Sequence, residues 1–182
     1  MPSPQFIQLH RSDDARLAAE AASGLLQAAA EVSPKFLYDA LGSRLFDAIT
    51  ELEEYYPTRT EAGILADGDG RITQALCDSF EGGRPATLID LGAGNSAKAA
   101  RWFEPLAPQR YLAIDISVDY LRASLGPLQR QHPAIEMVGV GLDFSERLAL
   151  PDGLVSGPSL VFYPGSSIGN FTPPQALALL RQ

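Results

Sequence analysis

The sequence predicts an α/β fold built on a mostly parallel sheet. From Ala86 onward, short apolar runs alternate with helical stretches, the pattern of strands joined by right-handed crossovers. Within that region "LIDLGAGNSAKAARWF" joins a strand to a helix through two close glycines. Acidic residues then stand at the ends of three successive strands, where parallel sheets bind their ligands. At 182 residues, 46% hydrophobic and 20% charged, the chain has the apolar material for a core.

The elements follow in order. An alanine-rich run from Ala15 to Ala30 has helical composition, with Ser12 as its N-cap. In "SPKFLYDALGSRLFDAITEL" Ser33 caps and Pro34 suits the first helical position, while Phe36, Leu37, Leu41, Leu45, Phe46 and Ile49 recur at helical spacing. Gly42 and Ser43 are expected to kink or split that helix. "EYYPTRTEAGIL" inserts a proline turn, after which Thr58 and Glu61 have capping-box spacing; Gly68 and Gly70 predict a break near 67–70. Strands are expected at Thr87 to Leu91, Tyr111 to Ile116, Ile135 to Leu142 and Ser159 to Tyr163, with helices at Ser96 to Leu106 and Val118 to Gln131. "TPPQALALLRQ" starts a last helix at Pro173 and Pro174. Four strands and that helix leave a poor sheet edge, so the sheet is expected to be incomplete at the C-terminus, the chain being a fragment of a longer protein or completed by another chain.

Composition narrows the function. Against 22 acidic residues stand 14 basic ones, for a net charge of −8 and a pI near 4.7, the wrong sign for tracking a phosphate backbone. One cysteine, Cys77, and two distant histidines, His10 and His132, offer neither a disulfide framework nor metal-ligand spacing. No export signal or membrane span is expected, and the compartment reads as cytoplasmic.

The glycine turn matches the dinucleotide pattern GxGxxG/A through Gly92, Gly94 and Ala97. Asp90, two residues before Gly92, discriminates between ligands. A carboxylate there repels a pyrophosphate but complements the ammonium and sulfonium of S-adenosylmethionine. Lys98 is placed to meet that molecule's carboxylate, and Asp115 to accept from ribose hydroxyls. Asp143 can accept from the adenine amino group, beside Phe144 as an aromatic wall. In "VFYPGSSIGNFTPP", Asn170 offers a donor and an acceptor to a zwitterionic amino acid, or else caps a turn before the proline-led helix. Tyr55 and Tyr56 read locally as core-edge aromatics and Arg59 as a solvated charge.

Taken together, "FLYDALGSRLFDAITELEEYYPTRTEAGIL", "LIDLGAGNSAKA", "YLAIDIS", "GLDFSE" and "PGSSIGNFTP" resemble the L-histidine Nα-methyltransferases of ergothioneine biosynthesis. The resemblance implies a Rossmann-like class I methyltransferase sheet plus a smaller substrate domain. Residues 1–60 would form an N-terminal helical segment contributing to that substrate domain, and 61–182 the methyl-donor domain. It implies three methyl transfers from S-adenosylmethionine to the α-amine of histidine, giving hercynine, with no metal; the charge and hydropathy already argue against a nucleic acid or membrane partner. Gly92, Lys98, Asp115, Asp143 and Phe144 would bind the donor, with Asp90 and Gly94 beside them. Tyr55 and Asn170 would hold histidine, with Tyr38 and Tyr56 as neighbours. Family members are longer, so the chain is expected to be an N-terminal portion. Alternatives are a different amino acid or amine as acceptor, a nicotinamide-binding oxidoreductase domain, and a catalytically inactive binding module.

Overall fold

The computed structural model describes residues 2–10, 13–37, 39–66, 70–145 and 147–182. Among them, β1 (Gln5–Gln8), β2 (Thr87–Leu91), β3 (Arg110–Asp115), β4 (Glu136–Gly141) and β5 (Ser159–Phe162) form one parallel sheet in the order β1-β4-β3-β2-β5. Four of these strands lie where the sequence places them. The fifth, β1, corrects the expected count. Four residues with polar ends carry no strand signal of their own, and β1 exists because β4 receives it. Phe6 pairs with Gly139 and Gln8 with Gly141. A Cβ on Gly139 would lie 2.7 Å from the Phe6 ring, and one on Gly141 would lie 2.1 Å from Val118 Cγ2. Only glycine admits these neighbours.

The sheet is buried on both faces, as parallel sheets are. On one face Leu88, Tyr111, Ala113 and Met137 pack against Leu121, Leu125, Trp102 and Phe103 from the helices. On the other, Ile89, Leu91, Leu112, Ile114, Val138 and Val140 pack under Leu148, Leu150 and Leu154 of the segment leading to β5. The two sets alternate along each strand, the period-2 signature of a pleat.

Several helix boundaries differ from the expected ones, each for a local reason. Helix α1 (Asp14–Leu25) is capped by Asp13, whose side chain accepts from the N–H groups of Ala15 and Arg16; Ser12 lies outside the described residues. It stops short of Ala30 because the Gly24 carbonyl takes the N–H groups of Gln27 and Glu31. A 3-10 turn (Pro34–Leu37) precedes α2 (Ala40–Thr50), so the break falls before Ala40 and not at Gly42 and Ser43. Asp39 caps α2 through the Gly42 N–H at 2.7 Å. A Cβ on Gly42 would lie 1.9 Å from the Leu37 carbonyl oxygen.

Helix α3 (Tyr56–Leu65) starts ahead of Thr58 and has no side-chain cap. Pro57 in its first turn already has a helical φ, so Thr58 and Glu61 form no capping box. Arg59, read as a solvated charge, donates to the carbonyls of Leu52 and Glu53 just past α2. Helix α4 (Arg71–Asp78) begins at Gly70 with φ +70°. The expected Ser96 to Leu106 helix is split into α5 (Ala97–Ala100) and α6 (Phe103–Leu106). Trp102 N–H bonds back three residues to Ala99, and Pro105 has no N–H to continue the α ladder. Helix α7 (Val118–Gln131) has its expected bounds, and α8 (Pro173–Leu180) opens with a Thr172–Gln175 capping box.

The substitution Gly141→Ala tests the β1 seat. It should destabilise the fold by about 1–3 kcal/mol, read as a lower midpoint in urea denaturation; an unchanged midpoint would mean that β1 and α7 yield freely.

Candidate functional site

The chain leaves β2 for β3 and β4 on one side and returns to β5 on the other. β2 therefore sits at the topological switch point, and the crevice beyond its carboxyl end is the place for a ligand. A cavity of about 1110 Å³ opens there, lined by the ends of β2 and β3 and also by residues of α1, α2 and α3. That volume suits a nucleoside joined to an amino acid better than a small metabolite alone.

The floor is the turn after β2. Gly92 and Ala93 donate their N–H groups to the Ile114 carbonyl at 2.9 and 3.0 Å. Gly94 N–H donates to Asp115 Oδ2 at 3.0 Å. Gly92 and Gly94 have φ values of +70° and +53°, which glycine adopts without strain. The turn thus folds across the end of β3 and leaves the cavity above it open.

Asp90 is 1% exposed, yet it lines this cavity. Its Oδ2 accepts from the Tyr111 hydroxyl at 2.7 Å, while Oδ1 is buried with no partner among the described residues. Burial pushes its carboxyl up from 3.8 to about 7; the Tyr111 hydrogen bond and Lys98 pull it back, and Asp115 adds to the rise. The Tyr111 hydroxyl is raised well above its ordinary value by burial and then by the Asp90 charge. An unpartnered buried carboxylate oxygen is costly, and a cationic ligand group would relieve it. The arrangement fits the ammonium and sulfonium of a methyl donor and does not fit a pyrophosphate.

The other expected donor residues line the same cavity. Asp115 accepts from Gly94 N–H and, at 3.1 Å, from Ser117 N–H; burial raises its carboxyl, with these backbone bonds opposing. Lone pairs remain on both oxygens for further donors. Asp143 is held by Ser145 and, at 3.4 Å, by Lys35, which also pairs with Glu20 of α1 at 2.9 Å. Phe144 meets Tyr163 edge to face at 5.6 Å between centroids. Lys98 is ion-paired to Glu61 of α3.

On the acceptor side, Tyr55 and Asn170 both line the cavity. Tyr55 stands at the start of α3 with its ring edge to face with Phe46 at 5.9 Å. Asn170 ends an exposed 3-10 turn (Ser167–Asn170), and Thr172 is the cap of α8. Tyr56 is 67% exposed and is not part of the lining; Tyr38 lies outside the described residues. Sequence reasoning missed Tyr111, Glu61, Lys35, and Tyr120, whose hydroxyl donates to Asp47 of α2. Only Tyr111 carried a signal, as a polar handle inside an otherwise apolar strand. Among the described residues, no group of three or more His, Cys, Asp or Glu side chains could hold a metal ion. No helix among them is long and apolar enough to cross a membrane.

Between pH about 4 and about 7 the folded state holds a proton on Asp90 that the unfolded state releases, so this group makes stability fall as pH rises. Its share is up to about 1.4 kcal/mol per pH unit. Asp90→Asn, which keeps an acceptor for Tyr111, should flatten that slope in denaturation curves taken across the window. Equal slopes in the two proteins would mean that Asp90 is ionised throughout.

Comparison with known proteins bears on this cavity. Residues 17–182 match the model of a family described as histidine-specific methyltransferase, SAM-dependent. The chain is 37% identical over 156 residues to the histidine N-alpha-methyltransferase of Mycobacterium tuberculosis, covering 83% of this chain and 46% of that protein. Its counterpart in Mycolicibacterium smegmatis is 37% identical over 155 residues, with the same coverage. Ergothioneine biosynthesis protein 1 of Schizosaccharomyces pombe is 32% identical over 155 residues, covering 80% of this chain and 20% of that protein. The chain spans less than half the length of these curated relatives. It belongs to the family of S-adenosylmethionine-dependent, histidine-specific methyltransferases.

Proposed function

We propose that the protein transfers methyl groups from S-adenosylmethionine to the α-amine of L-histidine, three in succession, to give hercynine. The observation that carries the reading is the buried Asp90 carboxylate with one unpartnered oxygen, set in a cavity that Tyr55 and Asn170 also line. Family membership and the names of the mycobacterial relatives support histidine as the acceptor. The donor would supply a methyl group on a positively charged sulfur, open to attack by a neutral amine.

The chain's own residues then have positioning tasks. Asp90 complements the donor's positive charge, Asp115 accepts from ribose hydroxyls, and Asp143 with Phe144 takes the adenine. Tyr55 orients the amine lone pair through its hydroxyl, while its ring face tolerates the growing methylammonium by cation–π attraction. Asn170 grips the amino and carboxylate groups of the acceptor. Such a displacement needs in-line approach and exclusion of water more than covalent help, so geometry sets the rate. The segment from α1 to α3, which walls one side of the cavity, would belong to the substrate domain.

Incubation of the full-length protein with S-adenosylmethionine and histidine should yield trimethylhistidine by mass spectrometry. Formation of no methylated histidine while another amino acid is methylated would move the assignment to a different acceptor. Tyr55→Phe, which keeps the ring against Phe46, should lower kcat/KM for histidine by between about tenfold and 10²-fold while leaving S-adenosylhomocysteine affinity unchanged. Unchanged turnover would remove Tyr55 from the mechanism.

A further inference from the structure

Lys98 does not face the cavity as a free cation. Its ammonium is paired with Glu61 Oε2, and Glu61 Oε1 accepts from the Gly165 N–H at 2.5 Å. One carboxylate thus bridges a side-chain cation on α5 and a backbone donor just beyond β5, the two-point grip that an amino-acid carboxylate would receive. Gly165 is the residue that allows it. Its φ is +84°, and a Cβ there would lie 3.2 Å from Lys98 Nζ, so a side chain would crowd the ammonium away from the N–H. Asp90 is close enough to Lys98 to feel its charge. Asp90, Lys98 and Gly165 line the same cavity, so it holds an acceptor for an ammonium and two donors for a carboxylate, the complement of an α-amino acid head group.

With Lys98 expected against the donor's carboxylate, we infer that Glu61 is an internal carboxylate standing in that place between Lys98 Nζ and Gly165 N–H, and that the ligand displaces it. This rests on reading the cavity as a methyl-donor site. Glu61 and Lys98 side chains are 24% and 37% exposed, so the pair is hydrated and exchangeable. It ties α3 to the sheet end and, as an exposed pair, is weak enough to yield to a carboxylate that brings its own ammonium to Asp90. Displacement would free the second turn of the helix that Tyr55 begins, linking donor binding to the acceptor side.

The test compares two nucleosides, S-adenosylhomocysteine and 5′-methylthioadenosine, which shares the nucleoside and thioether but lacks the amino-acid carboxylate. Both are titrated calorimetrically into the full-length protein and its Glu61→Gln variant. Weakening the internal competitor should tighten S-adenosylhomocysteine binding by about fivefold and leave 5′-methylthioadenosine within about twofold. Gly165→Ala should weaken S-adenosylhomocysteine selectively. Unchanged or weaker S-adenosylhomocysteine binding by Glu61→Gln would overturn the inference, because Glu61 would then be a bystander or a support for Lys98. Equal tightening of both nucleosides would overturn it too. Binding of neither nucleoside by the unmodified protein would overturn the donor site itself, a result distinct from failure of the variant alone.

Discussion

The rest of the site depends on one carboxylate held inside the sheet. Asp90 is on the same face of β2 as Leu88, and on β3 the residue directly opposite it is Ala113. The small side chain at Ala113 leaves room for the Tyr111 ring to run along the sheet and deliver its hydroxyl to Asp90. Tyr111 is itself fully buried and packs edge to face on Phe103 at 4.9 Å between centroids. One oxygen is thus satisfied by the core, and the other is left without a partner among the described residues. A carboxylate in such a place is expensive in isolation, and that expense disfavours the charged form until a cation arrives.

Topology decides where that carboxylate points. Because the strand order reverses at β2, its carboxyl end is flanked by β3 and β5, whose connections diverge to opposite sides. The glycine turn can then fold over the end of β3 without filling the crevice. The opposite edge is closed by β1, which fits only because Gly139 and Gly141 offer no side chains where Phe6 and Gln8 lie.

The helical segment before β2 is joined to the cavity by polar contacts spread around its rim. Lys35 links Glu20 to Asp143, Asp47 accepts from Tyr120, and Glu61 links Lys98 to Gly165. By contrast, Leu41, Leu45, Ile49 and Leu52, an apolar stripe at helical spacing on and just past α2, are largely exposed. The Lys35–Asp143 pair is largely buried, whereas the Glu61–Lys98 pair is partly hydrated and breaks and reforms more readily than a packed apolar face. The α3 side of the wall can therefore adjust to a ligand without unfolding the sheet.

The sequence by itself determined the sheet's central strands, the crossover helix α7 and the acids at the strand ends, because these depend on local periodicity and on turns that only particular residues make. The spacing of Gly92 and Gly94 makes a tight turn legible, the charge of Asp90 before it points to a cationic ligand, and family resemblance names the chemistry expected there. Only the tertiary structure decided that "QFIQ" is a strand, that Tyr111 holds Asp90, and that Lys98 is occupied by Glu61. Each of these joins residues at least 21 positions apart, where no periodicity carries information. Local signals also misled where a stronger constraint intervened: Pro57 starts α3 before Thr58 can cap it, which carries Glu61 to the cavity rim and not back to its own helix start. Strand periodicity comes from the pleat and can be read from adjacent residues, whereas the partner of a buried charge is set by which strands the fold brings together.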